Sequence, residues 1–345
     1  MAGPLCRVDR ASARESLFAP GHLWLHEPEK RRRPMPRTLD FVLADVFTDR
    51  PFGGNPLAVF PRVRDLADET MQAIARELNL SETTFVFPPA DSGVTCTVRI
   101  FTPGTELPFA GHPTIGTALV LEAVGALADA PQVRRTSDGA TEIVLGEGVG
   151  PVPVRLTHGD GGVRAVLTSP RLPARIGSAP PPEIMARLLG LPVDALAGAA
   201  LPAAGYSAGV PFLFIPLRDR EALARIRLDG ATWAAYLQGS ETPHVVALTL
   251  ADPADGREID MRMFAPAMGI AEDPATGAAA VAVAGLLAER QRPPAGTTRW
   301  LIRQGFDMGR PSLIELEADV AGGALTAVRV GGTAVLIGRG SLDVP

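Results

Sequence analysis

One pattern of strand, loop and helix start occurs twice in this sequence, as Val98-Arg-Ile-Phe-Thr-Pro103 with His112-Pro-Thr-Ile-Gly-Thr-Ala118, and as Met261-Arg-Met-Phe-Ala-Pro266 with Asp273-Pro-Ala-Thr-Gly-Ala-Ala279. The arginines of the two copies are 163 residues apart and their threonines are 162 apart. Stacked solenoid repeats recur every 20 to 50 residues or so, which is much shorter. The pattern therefore predicts a duplicated half-molecule.

The duplication divides most of the chain into two predicted half-domains. The first covers residues 38–168 and carries Glu82 and His112, and the second covers residues 169–333 and carries Asp273. The boundary is placed where proline and small residues interrupt the strand pattern.

The two ends of the chain differ from the halves. Residues 1–37 mix Pro, Arg, Ser and Glu without a sustained period, which predicts a disordered extension. Met35 stands just before the first predicted strand and is an alternative translation start to Met1. We predict that the last segment, residues 334–345, returns to the first half.

Composition excludes several kinds of partner. The net charge is −5 and the pI is about 5.6, and the arginines are scattered, so nucleic acid and anionic lipid are not expected partners. The longest strongly apolar run, Ala278–Ala288, is shorter than the roughly 20 residues that cross a bilayer. We expect a cytoplasmic protein that binds a small molecule and no membrane.

The residue inventory also excludes several kinds of chemistry. Lys30 is the only lysine and lies in the extension, so a Schiff base in the folded part is excluded. Cys6 and Cys96 are too far apart to form a metal or redox motif, and His22 with His26 lacks a third ligand. We therefore expect no cofactor and no metal.

Both copies of the pattern place a polar residue directly before a proline. Proline is favoured at the first position of a helix, so His112-Pro113 and Asp273-Pro274 predict helix N-termini at matching places in the two halves. Asp273 has a purely local alternative role as an N-cap. Helix N-termini attract carboxylates through free N–H groups and the helix dipole. If the halves face each other, both helix starts hold one anionic group.

Glu82 stands between a predicted helix, capped by Asp65 and ending near Asn79, and a predicted strand, Thr83–Phe87. A glutamate in such a place is most often solvated and structural. Without lysine, paired thiols or metal, however, proton transfer must use His, Asp, Glu or Tyr. Glu82 is therefore a candidate acid/base.

Successive motifs of the chain are similar to those of the phenazine biosynthesis PhzF family. They are Asp45-Val-Phe-Thr-Asp49, Phe52-Gly-Gly-Asn-Pro-Leu-Ala-Val59, Asn79-Leu-Ser-Glu-Thr-Thr-Phe-Val86, Arg99-Ile-Phe-Thr-Pro103, Gly111-His-Pro-Thr-Ile-Gly-Thr-Ala118 and Gly269-Ile-Ala-Glu-Asp-Pro-Ala-Thr-Gly277. The similarity covers about residues 38–340 and keeps the family's order of motifs.

This resemblance implies an α+β fold like that of diaminopimelate epimerase, with two pseudo-symmetric domains. Each domain wraps a mixed or antiparallel sheet around a central helix, and the active site lies between them. The implied activity is a cofactor-independent isomerisation of a small cyclic or amino carboxylic acid, similar to that of trans-2,3-dihydro-3-hydroxyanthranilate isomerase. In the family, the glutamate matching Glu82 is the acid/base, and His112 and Asp273 match its catalytic neighbours. A homodimer is also implied.

The predicted substrate-binding residues are Asn55, Ser81, Gly111, Ser207, Gly277 and Ala278. Many family members have serine where this chain has Ala278, so capture of a carboxylate there rests on the backbone N–H group alone. Epimerases of this fold use one cysteine at each helix start, and this chain has neither. An amino-acid racemase or epimerase, and a non-catalytic ligand-binding or interaction protein of the same fold, remain the alternatives.

Overall fold

Strands form most of the regular secondary structure, and two long helices lie among them. The computed structural model describes residues 37–250 and 256–344. The predicted disordered extension lies outside the described residues except for Arg37, and so do His22, His26 and Met35. The strands are β1 Arg37–Val46, β2 Asn55–Phe60, β3 Glu82–Phe87, β4 Cys96–Phe101, β5 Glu106–Leu107, β6 Arg134–Arg135, β7 Thr141–Glu147, β8 Gly150–Gly159, β9 Gly162–Thr168, β10 Ala174–Ile176, β11 Ala204–Ser207, β12 Pro211–Pro216, β13 His244–Leu250, β14 Glu258–Ala265, β15 Ile270–Asp273, β16 Gly296–Gln304, β17 Ser312–Ala321, β18 Ala324–Gly332 and β19 Ala334–Val344. The α-helices are α1 Asp68–Leu78, α2 Gly111–Ala123, α3 Pro182–Leu189, α4 Arg220–Ala224, α5 Gly230–Tyr236 and α6 Gly277–Gln291.

The two halves repeat one order of strand pairing. In the first half, β2 is parallel to β3, β3 antiparallel to β4, β4 parallel to β7, and β7, β8 and β9 form an antiparallel meander. The second half has the same order of pairing and the same strand directions, in β12, β13, β14, β16, β17 and β18. This strand-for-strand agreement supports the predicted duplication.

Two sets of hydrogen bonds join the halves. Strand β9 pairs antiparallel with β18, and β19 crosses to the first half and pairs antiparallel with β1. Arg37–Val344 forms one compact unit. The division into half-domains at residues 168 and 169 stays a prediction.

Two equivalent ion pairs show which residues of the first half correspond to which residues of the second. Arg99 on β4 binds Glu106 on β5, and Arg262 on β14 binds Glu272 on β15. The interval from arginine to glutamate is three residues longer in the second half. The insertion therefore lies in the hairpin before the helix.

The helix starts correspond differently from the prediction. Helix α2 begins at Gly111 and α6 at Gly277, each five residues after its paired glutamate. Leu107 is therefore the counterpart of Asp273, as the equivalent strand registers also show. The prediction that His112 and Asp273 occupy matching places is wrong, because the shared motif is Glu-x-Pro-x-x-Gly.

The central helices are apolar on all sides because strands surround them. Ten of the 15 residues of α6 are buried, and so are 11 of the 13 residues of α2; a helix with no polar face belongs in a core. The outer helix α1 buries only one face and ends at Asn79 in the left-handed conformation, as predicted. It begins at Asp68 with Ala67 as N-cap, so the prediction of Asp65 as the cap is wrong. In the described part of the chain, no helix combines the length and apolar character needed to span a membrane.

Candidate active site

A cavity of about 400 Å³ lies where the starts of α2 and α6 meet, and both halves line it. Its polar lining includes Glu82 and His112 from the first half and His244, Asp273 and Thr276 from the second. The remaining walls are largely apolar, which is typical of small-molecule sites.

The two helix starts touch through backbone. A β-carbon placed on Gly111 would lie 3.0 Å from the Cα atom of Gly277. The N-caps are Ala110 and Thr276, and neither side chain hydrogen-bonds to its own helix. N–H groups of both first turns are therefore free to bind a carboxylate, and the two dipoles attract it together.

Glu82 is the first residue of β3 and only 8% exposed. Its Oε2 atom lies 3.1 Å from Nε2 of His112, yet neither atom has a hydrogen-bond partner among the described residues. Burial, reinforced by the nearby charge of Asp273, raises the pKa of Glu82 well above its usual range. The carboxyl is thus poised to exchange a proton with a bound molecule.

His112 is the second residue of α2, so it lies inside the first turn of the helix and does not cap it. Its Nδ1 atom is 3.3 Å from Nδ2 of Asn55. Burial lowers the pKa of His112 to about 3, so the imidazole is neutral near pH 7. A neutral ring next to Glu82 can accept or donate a hydrogen bond without adding a charge.

Asp273 is held by hydrogen bonds from two directions. Asn55 Nδ2 donates to Oδ1 over 2.9 Å, and Thr276 Oγ1 donates to Oδ2 over 2.5 Å. Burial raises the pKa of Asp273 to about 6, while these two hydrogen bonds oppose the rise. Thr276 is the N-cap residue of α6, so the alternative role of Asp273 as a helix cap is wrong.

Gln304 secures the same loop from the end of β16. Its Nε2 group donates to the carbonyl of Asp273 over 2.8 Å, and its Oε1 atom accepts from the N–H of Thr276 over 3.2 Å. The loop before α6 is therefore fixed from both sides before any ligand binds. Such preorganisation favours catalysis, since the polar groups need not reorganise during the reaction.

The predicted substrate-binding residues fall into two groups. Gly111, Gly277 and Ala278 line the cavity, and Asn55 lies behind it, bonded to Asp273. Ser81 and Ser207 are not among the described residues that line the cavity. The Ser207 hydroxyl accepts a hydrogen bond from the N–H of Gly209 over 3.0 Å.

Sequence reasoning missed three buried polar residues near the site, which are His244, Glu147 and Gln304. His244 is the first residue of β13 as Glu82 is of β3, and the repeat would have revealed it if it had been extended backwards along the chain. Glu147 and Gln304 end equivalent strands, β7 and β16. No local pattern marks them.

The described residues of the site do not favour thiol or metal chemistry. Cys96 lies on β4, outside the cavity lining, and burial raises the pKa of its thiol to about 12. Within residues 37–250 and 256–344, His, Cys, Asp and Glu form no group of three that suits a metal ion. The site therefore rests on carboxyl, imidazole and backbone N–H groups.

Comparison with known proteins identifies the family of the chain. The family model of phenazine biosynthesis-like proteins matches residues 44–340. The chain is 39% identical to an uncharacterized isomerase of Mesorhizobium japonicum, over 89% of this chain and 100% of the relative. It is 36% identical to trans-2,3-dihydro-3-hydroxyanthranilate isomerase of Pseudomonas aeruginosa, over 87% of this chain and 98% of that enzyme.

A solved structure confirms the predicted α+β fold. The PhzF-family phenazine biosynthesis protein of Bacillus anthracis aligns with a TM-score of 0.79 at 22% identity, over 89% of this chain and 100% of that one. The resemblance predicted from the motifs is thus confirmed. The chain belongs to the phenazine biosynthesis-like protein family, and it is an isomerase.

Proposed function

We propose that this protein isomerises a small cyclic amino carboxylic acid without a cofactor, and that Glu82 moves the proton. The reaction is similar to that named for the trans-2,3-dihydro-3-hydroxyanthranilate isomerase of Pseudomonas aeruginosa. One observation carries the proposal: the buried Oε2 atom of Glu82 faces a cavity and has no hydrogen-bond partner in the described part of the chain.

The raised pKa of Glu82 suits both steps of such a reaction. A carbon-bound proton next to a conjugated system is weakly acidic, so its removal needs a desolvated carboxylate of raised basicity. The carboxylic acid formed in this first step then returns the proton to another carbon of the same molecule. The raised pKa of Glu82 makes its acid form accessible, so the proton taken from one carbon can be delivered to another.

The rest of the site orients the substrate. The first-turn N–H groups of α2 and α6 bind its carboxylate, including that of Ala278, where no hydroxyl is present. His112 and Asp273 contact amino or hydroxyl groups on the ring, because both lie beside Glu82 in the cavity. Fixing the reacting carbons against one carboxyl accounts for much of the rate enhancement.

Deuterium transfer in D₂O tests the proposal. The Glu82 acid can exchange its proton with solvent before it reprotonates the substrate. We therefore expect wild-type enzyme, incubated in D₂O with trans-2,3-dihydro-3-hydroxyanthranilate, to give product that carries deuterium at the newly protonated carbon. Glu82→Gln keeps the shape of the side chain but cannot carry the proton, so turnover and deuterium uptake should fall at least a thousandfold or so. The exposed Glu77→Gln variant serves as control. Wild-type turnover by Glu82→Gln would refute the assignment.

Chiral analysis of the product separates isomerisation from racemisation. Migration of a double bond supports the proposal, and inversion at one carbon supports the racemase alternative. Two-thiol racemisation has no support here, because Cys96 is the one cysteine in the part of the chain that the structure describes.

Homodimerisation and a cytoplasmic location are further parts of the proposal. The first comes from the family resemblance, and the second is the expectation drawn from composition. Light scattering of the purified protein tests the first, and a mass twice the 36.2 kDa of one chain is expected. Cell fractionation tests the second.

A further inference from the structure

The strand registers give Glu82 a counterpart in the second half. Phe85 pairs with Arg99, and Ala247 pairs with Arg262, so the two arginines of the repeat align β3 with β13. Three residues before Phe85 is Glu82, and three residues before Ala247 is His244.

In each half, the pairing with the neighbouring parallel strand begins at this residue. Glu82 is in register with Leu57 on β2, and His244 is in register with Phe212 on β12. Both Glu82 and His244 begin their strands and both line the cavity between the halves. The duplicated fold thus delivers one ionisable side chain from each half to the same cavity.

The environment of His244 is unusual for a structural histidine. The residue is only 5% exposed, and its Nδ1 atom has no hydrogen-bond partner within residues 37–250 and 256–344. Its ring packs against Phe212 with a centroid distance of 5.9 Å. A buried imidazole nitrogen without a partner destabilises the fold, and a hydrogen bond to a bound molecule removes that penalty.

We propose that His244 contacts the substrate through Nδ1 and binds an amino or hydroxyl group on its ring. The inference rests on the proposed function, since it assigns a further group to the same reaction. Glu82 transfers the proton, whereas His244 selects which ring acid enters the cavity and fixes its orientation.

The charge state of His244 agrees with a binding role. Burial lowers the pKa of His244, so the ring is neutral near pH 7. A neutral imidazole offers one hydrogen bond at Nδ1 and does not compete with Glu82 for the proton. His244 therefore affects affinity for the substrate more than the rate of the proton transfer.

Binding measurements with stable aromatic acids test this inference independently of turnover. The ligands are 3-hydroxyanthranilate, anthranilate, which lacks the hydroxyl, and 3-hydroxybenzoate, which lacks the amine. None of them has a ring proton of the kind that the proposed reaction moves. Calorimetry gives Kd for each ligand with wild type, His244→Phe and His244→Asn.

We expect His244→Phe to weaken binding of 3-hydroxyanthranilate by roughly tenfold to a hundredfold. His244→Asn keeps a polar atom near the position of Nδ1 and should restore most of the affinity. The loss of affinity in His244→Phe should be absent for the ligand that lacks the group bound by His244. Absence of the loss with anthranilate identifies that group as the hydroxyl, and absence with 3-hydroxybenzoate identifies it as the amine. The exposed His158→Phe variant is the matched control, because His158 lies outside the cavity.

Steady-state kinetics adds a second readout. We expect His244→Phe to raise KM strongly and to change kcat by less than about threefold, in contrast to Glu82→Gln. Folding of each variant is checked by its thermal unfolding temperature.

Two results would overturn the inference. The first is folded His244→Phe that binds all three acids as tightly as wild type. The second is wild type that binds none of them, because the ligand class is then wrong. Wild type that binds the acids but does not turn over trans-2,3-dihydro-3-hydroxyanthranilate contradicts the proposed function alone.

Discussion

Gly111 and Gly277 lie against each other at the centre of the active site, so that a β-carbon on either one would come within 3.0 Å of the Cα atom of the other. Each is the first residue of a buried helix. Neither backbone can withdraw without moving a helix in a close-packed core. The contact therefore sets the distance between the two groups of N–H donors.

Substitution of either glycine by alanine should separate the helix starts. We expect Gly111→Ala and Gly277→Ala each to destabilise the protein by about 1–3 kcal/mol and to lower kcat/KM at least roughly tenfold, because the carboxylate donors shift. Urea unfolding and steady-state kinetics measure the two effects. Gly161→Ala is the control, since its β-carbon would meet no atom within 4 Å. Unchanged activity of both variants would show that the contact does not determine the spacing of the N–H donors that activity requires.

Asn55 connects the two halves at the site. Its Nδ2 group donates to Asp273 Oδ1 and to the carbonyl of Ala275, each over 2.9 Å. We expect Asn55→Ala to destabilise the protein by about 2–4 kcal/mol, because it leaves two buried acceptors unpaired.

Activity should also change in Asn55→Ala. The hydrogen bond from Asn55 holds down the pKa of Asp273, which is already raised to about 6. Its loss raises that pKa further, so the acid limb of the pH–rate profile should move to higher pH. Gln72→Ala is the control, since Gln72 also donates to two carbonyls, but outside the cavity. A stability loss with an unmoved acid limb would assign Asn55 a purely structural role.

Glu147 is a buried acid where the second half has an amide. The equivalent registers of β4 with β7 and of β14 with β16 match Glu147 with Gln304. Thr114 Oγ1 donates to Glu147 Oε1 over 2.7 Å, whereas Oε2 has no partner in the described part of the chain. Burial raises the pKa of Glu147 from 4.5 to about 8.

The sign of the resulting pH effect follows from proton binding. Between pH 4.5 and about 8 the folded protein holds a proton on Glu147 that the unfolded chain has lost. The contribution of Glu147 to the free energy of unfolding is therefore full below pH 4.5 and is lost as the pH rises through 8. Glu147→Gln removes this titration, so its stability relative to wild type should increase from pH 5 to pH 8.5, by up to about 4 kcal/mol. Chemical unfolding at several pH values measures the difference, with Glu77→Gln as control. Equal pH dependence in Glu147→Gln and wild type would contradict the burial of an acid here.

The sequence predicted those parts of the architecture that depend on local residue patterns. The two X-Pro motifs predicted helix starts close to α2 and α6, and the repeated strand pattern predicted two similar halves. The helix starts were misaligned because proline was treated as the first residue of each helix. Pro113 is in fact the third residue of α2, and Pro274 lies three residues before α6.

Side chains that act through tertiary position were harder to find. Glu82 was found only through elimination and family motif, since its local pattern is that of a solvated strand end. His244 has no motif, and its place in the cavity depends on the register of four strands. Ser81 is next to Glu82 in sequence, yet neither Ser81 nor Ser207 is among the described residues that line the cavity.

The two Arg–Glu pairs of the repeat offer a matched comparison of buried and exposed ion pairs. The side chains of Arg262 and Glu272 are 8% and 16% exposed, whereas those of Arg99 and Glu106 are 26% and 41% exposed. Arg262 also donates to the carbonyl of Leu223 over 3.0 Å. Loss of Glu272 leaves the buried Arg262 with backbone carbonyls and with Asp307 at 4.0 Å, whereas loss of Glu106 leaves a more exposed Arg99 that still pairs with Asp68 over 2.6 Å.

We therefore expect Glu272→Gln to destabilise the protein by about 2–4 kcal/mol and Glu106→Gln by less than about 1 kcal/mol. Because Glu272 directly precedes Asp273, Glu272→Gln should also lower kcat/KM, whereas Glu106→Gln should not. Urea unfolding at low and high salt checks the physical cause, since salt screens the exposed pair and leaves the buried one almost unchanged. Equal destabilisation by the two substitutions would mean that burial does not distinguish the pairs, and that the loop carrying Asp273 is held by Gln304 and Asn55 alone.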